Sequence, residues 1–475
     1  MREVSAAIAP PDPTLTPGIR RDDVVSLLDR TIDLTRPAGD HRPGFDEVLA
    51  DVAALGLAPG TPVVIALANG RHLLQQYFAV LLSGGVPLAV SPSTPSARIR
   101  ALAAHLNAGA LIAARIDPAL YDARRRFEVG EQQAVPLPMG GPRGVYEPGQ
   151  VLMLTSGTSG MFSACLHAVD SLLRNARRHA AAVGVRADDR LLISLPLYYS
   201  YAIVAQAMTA LITGASLVVS GPPFTPAAYR ETILRHGVTS SSLTPTIARQ
   251  LVEIGERLPT GLRSVAVGGD RTDPRHVAGL LDLNPGGELY LTYGLTEAGP
   301  RVATLAAHRE PAHRHASVGL PLDGVTATVR DPGPDGAGEL LVATDTALLR
   351  KVGPAARQPL IAPGLVATGD LFRRDDDGYL YYTGRLSDFV VVRGEKVSLF
   401  SIRQAAQTLP GVARAVPRVW RGDDGENRID LEVHASDPAR VTEAAVHAGL
   451  RPLLLRSERP ARVTVVPVAA TAQHK

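Results

Sequence analysis

Lysine is nearly missing from this chain: Lys351, Lys396 and Lys475 are the whole supply, and every other fixed side-chain positive charge is arginine. Any chemistry that requires a lysine therefore has three candidates. Cysteine is rarer still, with Cys165 alone, which excludes an internal disulfide and a cysteine-rich metal site and fits a reducing cytoplasm. Aromatic residues make up only 4%, too few for a reading built on base-stacking platforms. No excess of one charge stands out either, since the net charge is +3 and basic and acidic residues are interspersed, so the pI near 9.0 does not argue for nucleic acid. A long hydrophobic run is also lacking. The most apolar window, 201–219, contains Gln206, Thr209, Thr213 and Gly214, and reads as a buried helix followed by a buried strand rather than a membrane span. The opening MREVSAAIAPPDPTLTP has one arginine and an apolar stretch broken by Pro10 and Pro11, so it reads as a loose tail, not a secretory signal. These absences leave a cytoplasmic protein whose partners are small molecules or another protein, with no nucleic acid and no membrane.

What is present is a large apolar inventory. Hydrophobic residues are 45% and charged residues 20% of 475 positions, enough for about two to four packing units. Over 61–114, short apolar runs (PVVIALA, VPLAVS, ALIAA) alternate with helical stretches (HLLQQYFAVLLSGG, SARIRALAAHL), the rhythm of βαβ units on a parallel sheet. A Gly/Pro-rich loop at 136–149 leads into the strand QVLML, and a helix is expected from Asp170, as its N-cap, to Gly184, as its C′ residue. Further units run through LLISLPL, SLVVS, SSLTP, SVAVGG and ELYLTYG. Beyond residue 317 the texture changes to short runs punctuated by Gly, Pro and Asp, a small β-rich subdomain. The expected fold class is α/β: a large N-terminal domain of βαβ-type sheets with that subdomain (1–384), a hinge (385–388), and a small mobile α+β C-terminal domain (389–475).

The segment TSGTSG, Thr155, Ser156, Gly157, Thr158, Ser159 and Gly160, follows a strand. It is not a Walker loop, because Met-Phe-Ser-Ala rather than Lys-Ser/Thr follows Gly160, nor a nucleophile elbow, because Met161 stands two residues beyond Ser159. Its backbone N–H groups and hydroxyls suit phosphate oxygens, although an ordinary Ser/Gly loop accounts for the segment alone equally well. Downstream, ELYLTYGLTEAGP sets Tyr293, Gly294, Thr296 and Glu297 beyond a strand end, an aromatic ring for a base and a carboxylate for Mg²⁺. SVAVGGD ends a strand on Gly268, Gly269 and Asp270, where glycine permits close approach to a flat ligand. ATGDLFRRDDDGYLYYTGR supplies Asp370, an acceptor for ribose hydroxyls, and Arg385.

In this order the segments resemble the superfamily of acyl-CoA synthetases, peptide-synthetase adenylation domains and luciferases, from about residue 61 to the end. The resemblance implies that Thr155 to Gly160 embrace the ATP phosphates, that Tyr293 to Glu297 contact adenine with Glu297 holding Mg²⁺, that Asp370 and Arg385 bind ribose, and that Ser387 is the pivot of the small domain. It implies ATP and Mg²⁺ as cofactors and, for a thioester product, coenzyme A. An ionised carboxylate needs no general base to attack the α-phosphorus; the reaction needs charge neutralisation and in-line alignment.

The chain departs from that family in several places. Its loop lysine is Ser163, the lysine after the hinge is Val391, and the acidic pair that follows is Ser401 and Arg403. Lys396 reads as a surface residue, which leaves Lys475, four residues after Thr471, as the candidate catalytic lysine. The stretch Tyr198, Tyr199, Ser200, Tyr201 lacks the Asp that pairs an α-ammonium, which points to an aryl or other acid without one. Tyr199, Asp270 and Arg301 are pocket candidates, each as readily structural. His308, His313 and His315, beside Arg309 and Arg314, read as a solvated loop rather than a metal site, and 373–378 reads as a charged hairpin turn. The expected activity is adenylation of a carboxylic acid and transfer to a thiol, on CoA or on a separate carrier protein. The alternatives are an amine acceptor, nitrite activation for diazotisation, or a degenerate nucleotide-binding scaffold.

Overall fold

The computed structural model describes residues 18–37, 43–140, 145–155, 163–221, 224–353, 358–386, 389–392, 395–422, 426–435, 437, 440–454, 456 and 458–468. Two compact units emerge. The first comprises residues 1–328, 341–368 and 375–381; the second comprises 329–340, 369–374 and 382–475.

The first unit is built on two eight-stranded sheets. In one, Thr31–Asp33, Ser216–Val219, Arg190–Ile193, Ser240–Leu243, Ser264–Gly268 and Glu288–Gly294 lie side by side in parallel, followed by antiparallel Arg301–Ala306 and Leu320–Pro321. In the other, Pro62–Ala66 pairs in parallel with Val86–Ala89 and Ala110–Ala113, and the hairpin Gln150–Thr155/Ser163–Ala168 extends the sheet to Arg350–Val352.

Strand periodicity sorts the side chains into layers. Val63 and Ile65 of one sheet, and Leu191, Ile193, Leu217 and Val219 of the other, share a single core with the helices Arg71–Leu82 and Val169–Ala182. Those helices are therefore sandwiched between the sheets, which is why every residue from Leu73 to Leu81 is buried. The alternate residues Val64, Leu88 and Leu111 pack under helix Ser96–Leu106, and Leu192, Val218, Val265 and Leu289 under the outer helices of the other sheet. The result is five layers, αβαβα, the α/β class expected.

Local details correct the reading at several points. Helix Val169–Ala182 is preceded by Ala168, whose side chain makes no cap, so Asp170 belongs to its first turn; Gly184 does follow the helix at φ 63°. The 201–219 window is the expected buried helix and strand, with a π-helical turn at Ile203–Met208. After residue 317 come the short strands Val325–Arg330, Gly338–Thr344, Leu360–Ala362, Leu365–Arg374 and Leu380–Arg385. The charged stretch at 375–378 is a turn closed by the Asp375 N–H on the Tyr379 carbonyl, 3.1 Å. Within the second unit, strands Val412–Arg421, Asn427–Ala435 and Arg462–Pro467 form a sheet whose core is shared with helices Leu399–Gln407 and Glu443–Leu450. Among the described residues no helix is long and apolar enough to cross a membrane.

Candidate functional site

The parallel strands Arg190–Ile193, Ser240–Leu243, Ser264–Gly268 and Glu288–Gly294 all point their carboxyl ends toward one edge, where ligands of open α/β sheets collect. Tyr293 and Gly294 are the last two residues of their strand rather than beyond it, and Thr296 and Glu297 sit on the 3₁₀ turn Thr296–Ala298 that follows. The turn is braced from several sides. The Leu295 N–H donates to Pro300 O (2.8 Å), the Leu348 N–H to Glu297 O (3.0 Å), and Thr346 Oγ1 to Ala298 O (2.9 Å). Gly294 has to be glycine here, because a Cβ would lie 2.1 Å from the Pro300 carbonyl oxygen.

Glu297 carries its charge against a lysine. Lys351 Nζ lies 3.0 Å from Glu297 Oε1, both side chains being largely withdrawn from water. Lys351 is on strand Arg350–Val352, opposite Cys165 on strand Ser163–Ala168. Burial pushes the Cys165 thiol well up, the Glu297 charge adds to that push and Lys351 opposes it, so all three groups occupy one neighbourhood. The strand Gln150–Thr155, which enters the hydroxyl-rich loop, packs against the Thr296–Ala298 turn. Thr155 Oγ1 donates to Ser163 O (3.2 Å) and lies 2.8 Å from Ser163 Oγ. Ser163 is thus a buried hydroxyl closing the hairpin base. The other loop candidates, Ser156, Gly157, Thr158, Ser159 and Gly160, lie outside the described residues, as do Ser387 and Lys475.

On the other side of the turn, Thr296 Oγ1 is 3.0 Å from Ser200 Oγ, and Tyr201, the next residue, lies under the guanidinium of Arg301, whose Cζ is 4.7 Å from the ring centroid. Gly268 is close by. A Cβ there would meet Thr292 Oγ1 at 2.3 Å and Tyr201 Cε1 at 3.5 Å, so this glycine makes room for Thr292 rather than for open approach. Gly269, at φ 98°, faces open space, and Asp270 is exposed with its carboxylate taken by the Arg271 N–H at 2.7 Å. Tyr199 is 45% exposed, with its ring 4.8 Å from that of Tyr198. The tyrosine that reaches Arg301 is therefore Tyr201, which sequence reasoning passed over. Tyr201 sits on the single helical turn Ser200–Ala202 that leads into the π-helical segment, too short for a periodic pattern to show which way it faces.

Asp370 and Arg385 pair with one another in the second unit, Arg385 Nε donating to Asp370 Oδ1 at 2.7 Å, with Asp370 almost fully buried. The histidine stretch is solvated only in part, with His313 exposed. His315 is buried with Nε2 on the carbonyls of Ala307 and Glu310, and His308 Nδ1 lies 3.1 Å from the Leu289 backbone. Among the described residues no group of three or more His, Cys, Asp or Glu is arranged to hold a metal. Lys351 was one of three lysines in the sequence count. Its role was invisible there because more than fifty residues of chain separate it from Glu297.

Comparison with known proteins puts this geometry in context. The family model described as AMP-binding enzyme matches residues 50–349. The chain is 26% identical over 461 residues to the salicyl-AMP ligase / salicyl-S-ArCP synthetase of Mycobacterium tuberculosis, covering 90% of this chain and 81% of that one. It is 28% identical over 305 residues to the 3-hydroxybenzoate–CoA/4-hydroxybenzoate–CoA ligase of Thauera aromatica, covering 60% and 56%. Among solved structures, o-succinylbenzoate CoA synthetase from Bacillus subtilis in complex with its acyl-adenylate intermediate aligns with a TM-score of 0.75 at 21% identity, covering 89% of this chain and 88% of that one. An amide bond synthetase from Marinactinospora thermotolerans aligns with a TM-score of 0.73 at 22% identity, covering 94% and 95%.

Proposed function

The chain belongs to the AMP-binding enzyme family, and from that premise we propose that it is an ATP-dependent, AMP-forming ligase that adenylates a carboxylic acid lacking an α-ammonium and passes the acyl group to a thiol. The observation that carries this reading is the Glu297–Lys351 pair on the turn beside the Gln150–Ala168 hairpin. A carboxylate that already faces a cation next to a hydroxyl-rich loop suits a site where phosphate charge is neutralised.

The residues fit Mg²⁺ in one respect: with no multi-carboxylate cage among the described residues, a single carboxylate plus substrate phosphates is the coordination this ion accepts. Glu297 would hold it, and when bound it would neutralise charge on the phosphates. Thr296 and the 155–160 loop would orient the phosphates by hydroxyl and backbone donors, and Tyr293 would cover the adenine. Asp370, with Arg385, would accept the ribose hydroxyls. The carboxylate oxygen attacks the α-phosphorus, the α–β phosphoanhydride bond breaks, and pyrophosphate leaves. In the second step a thiol sulfur attacks the acyl carbonyl, its proton passes to solvent, and AMP leaves. The boundary assignments 1–384, 385–388 and 389–475, with Ser387 as pivot and Lys475 reaching the α-phosphate, belong to this proposal.

An aryl acid is favoured by Tyr199 standing where an ammonium-pairing Asp would be, and by the printed activities of the salicyl and hydroxybenzoate relatives. Val391, at the post-hinge lysine position, favours one second reading, an amine acceptor. Pyrophosphate exchange against aryl, fatty and amino acids, and nitrite with an aryl amine, tests the whole proposal. Acid-dependent exchange is expected, with the second product identified by mass spectrometry after adding CoA, a carrier thiol or an amine. ATP binding without exchange for any acid discards it.

A further inference from the structure

Arg301 is 3% exposed, yet Nε and Nη2 of its guanidinium have no hydrogen-bond partner among the described residues. Its backbone is secured independently: the N–H donates to Asn175 Oδ1 and the carbonyl accepts from Asn175 Nδ2, each at 2.9 Å. Among the described residues the guanidinium meets no carboxylate, and the Tyr201 ring beneath it is only a weak substitute. A buried cation without a carboxylate is costly, and an anionic ligand is one partner that offsets the cost. Burial correspondingly lowers the Arg301 pKa, with Tyr201 opposing.

The neighbouring polar atoms are unpaired too. Tyr201 OH, His179 Nδ1 and Gln206 Oε1 are buried without partners among the described residues. The Arg301 charge reaches His179, on helix Val169–Ala182 in the layer between the sheets. His179 and Gln206 in turn line a cavity of about 10 Å³ with Ser240, Ser242, Ser264 and Ala266, space for one water-sized group. The guanidinium lies over Tyr201, the residue after Ser200, whose hydroxyl meets Thr296 Oγ1 at 3.0 Å, so it neighbours the Thr296 turn without belonging to it.

We propose that Arg301 recognises a second anionic group, a carboxylate or sulfonate at the far end of the acid, with Tyr201 forming the wall of that subsite. The substrate class is then a dicarboxylic acid or its sulfonated equivalent. The inference rests on the adenylation reading above and narrows its substrate.

The test is pyrophosphate exchange on the full chain with matched pairs, benzoate against isophthalate and hexanoate against adipate, for wild type and Arg301→Met. Wild type is expected to prefer the diacid of at least one pair by tenfold or more in kcat/KM. Arg301→Met should lose that diacid activity by about 100-fold while keeping or gaining on the monoacid. ATP affinity and thermal midpoint, measured on the same variant, should be unchanged or improved, since methionine removes an unpaired buried charge. Preference of wild type for both monoacids, or equal loss on mono- and diacids in a variant that still binds ATP, overturns the assignment and leaves adenylation standing. Absence of exchange with every acid, in a wild type that binds ATP, overturns both.

Discussion

Lys351 Nζ and Glu297 Oε1 stand 3.0 Å apart across two elements that share no sequence neighbourhood, the Arg350–Val352 strand and the Thr296–Ala298 turn. The pair gives the candidate metal ligand a resident counter-charge, and it sets two substitutions against each other. Glu297→Gln keeps an acceptor for Lys351 but removes the charge. Adenylate formation should fall by about 10²-fold or more with little loss of stability, read by exchange and by thermal midpoint. Lys351→Met leaves a largely buried carboxylate unpaired and should cost on the order of 1–3 kcal/mol in the absence of Mg²⁺, with added Mg²⁺ restoring much of it. A Lys351→Met midpoint that ignores Mg²⁺ would show that Glu297 is not a cation site.

Gly294→Ala tests how firmly the turn is seated. The added methyl falls 2.1 Å from the Pro300 carbonyl oxygen, which is backbone and has nowhere to go. Stability should drop by about 2–3 kcal/mol and exchange should collapse, because Thr296 and Glu297 follow directly on the displaced strand end. A midpoint within a degree of wild type, with normal exchange, contradicts this account of the turn.

The contrast between these residues and Lys351 shows what the sequence can carry. Layers, helices and strand ends were legible because they rest on period-2 and period-3.6 patterning and on turn residues, which are local. Tyr293, Gly294, Thr296 and Glu297 were legible because they are contiguous. The Lys351–Glu297 pair, the Tyr201–Arg301 stack and the use of Gly268 by Thr292 are meetings of distant segments, and no local pattern encodes them. Within the histidine stretch the solvated reading holds for His313 and misses His315 for a related reason: charge next door suggested solvent, while His315 is buried with Nε2 on the Ala307 and Glu310 carbonyls, which composition does not reveal.

Asp370 and Lys475 separate binding from chemistry. Asp370→Asn weakens the proposed acceptor for ribose hydroxyls and the bond from Arg385 Nε, so ATP affinity should fall about tenfold or more by equilibrium dialysis. Lys475→Ala should leave ATP affinity in place and abolish adenylate formation. Loss of ATP binding in the lysine variant, or full turnover in it, removes Lys475 from the chemistry.

His179 gives the pH dependence. Burial in the layer between the sheets, with the Arg301 charge adding to it, lowers its pKa from 6.5 to about 3, so the folded chain holds this ring neutral where the unfolded chain begins to protonate it. Between pH 6.5 and about 3 the unfolded state binds the extra proton, so this contribution is fully present above pH 6.5 and is lost as pH falls, at a slope approaching 1.36 kcal/mol per pH unit. In His179→Gln no proton can be taken up in either state. Its urea midpoint should therefore fall less steeply than that of wild type between pH 6 and 4, by roughly one proton's worth of slope. Parallel curves for the two proteins over that range would mean that His179 is protonated in the folded chain. An imidazolium beside Arg301 would add like charge there and call for an anion in the same cavity.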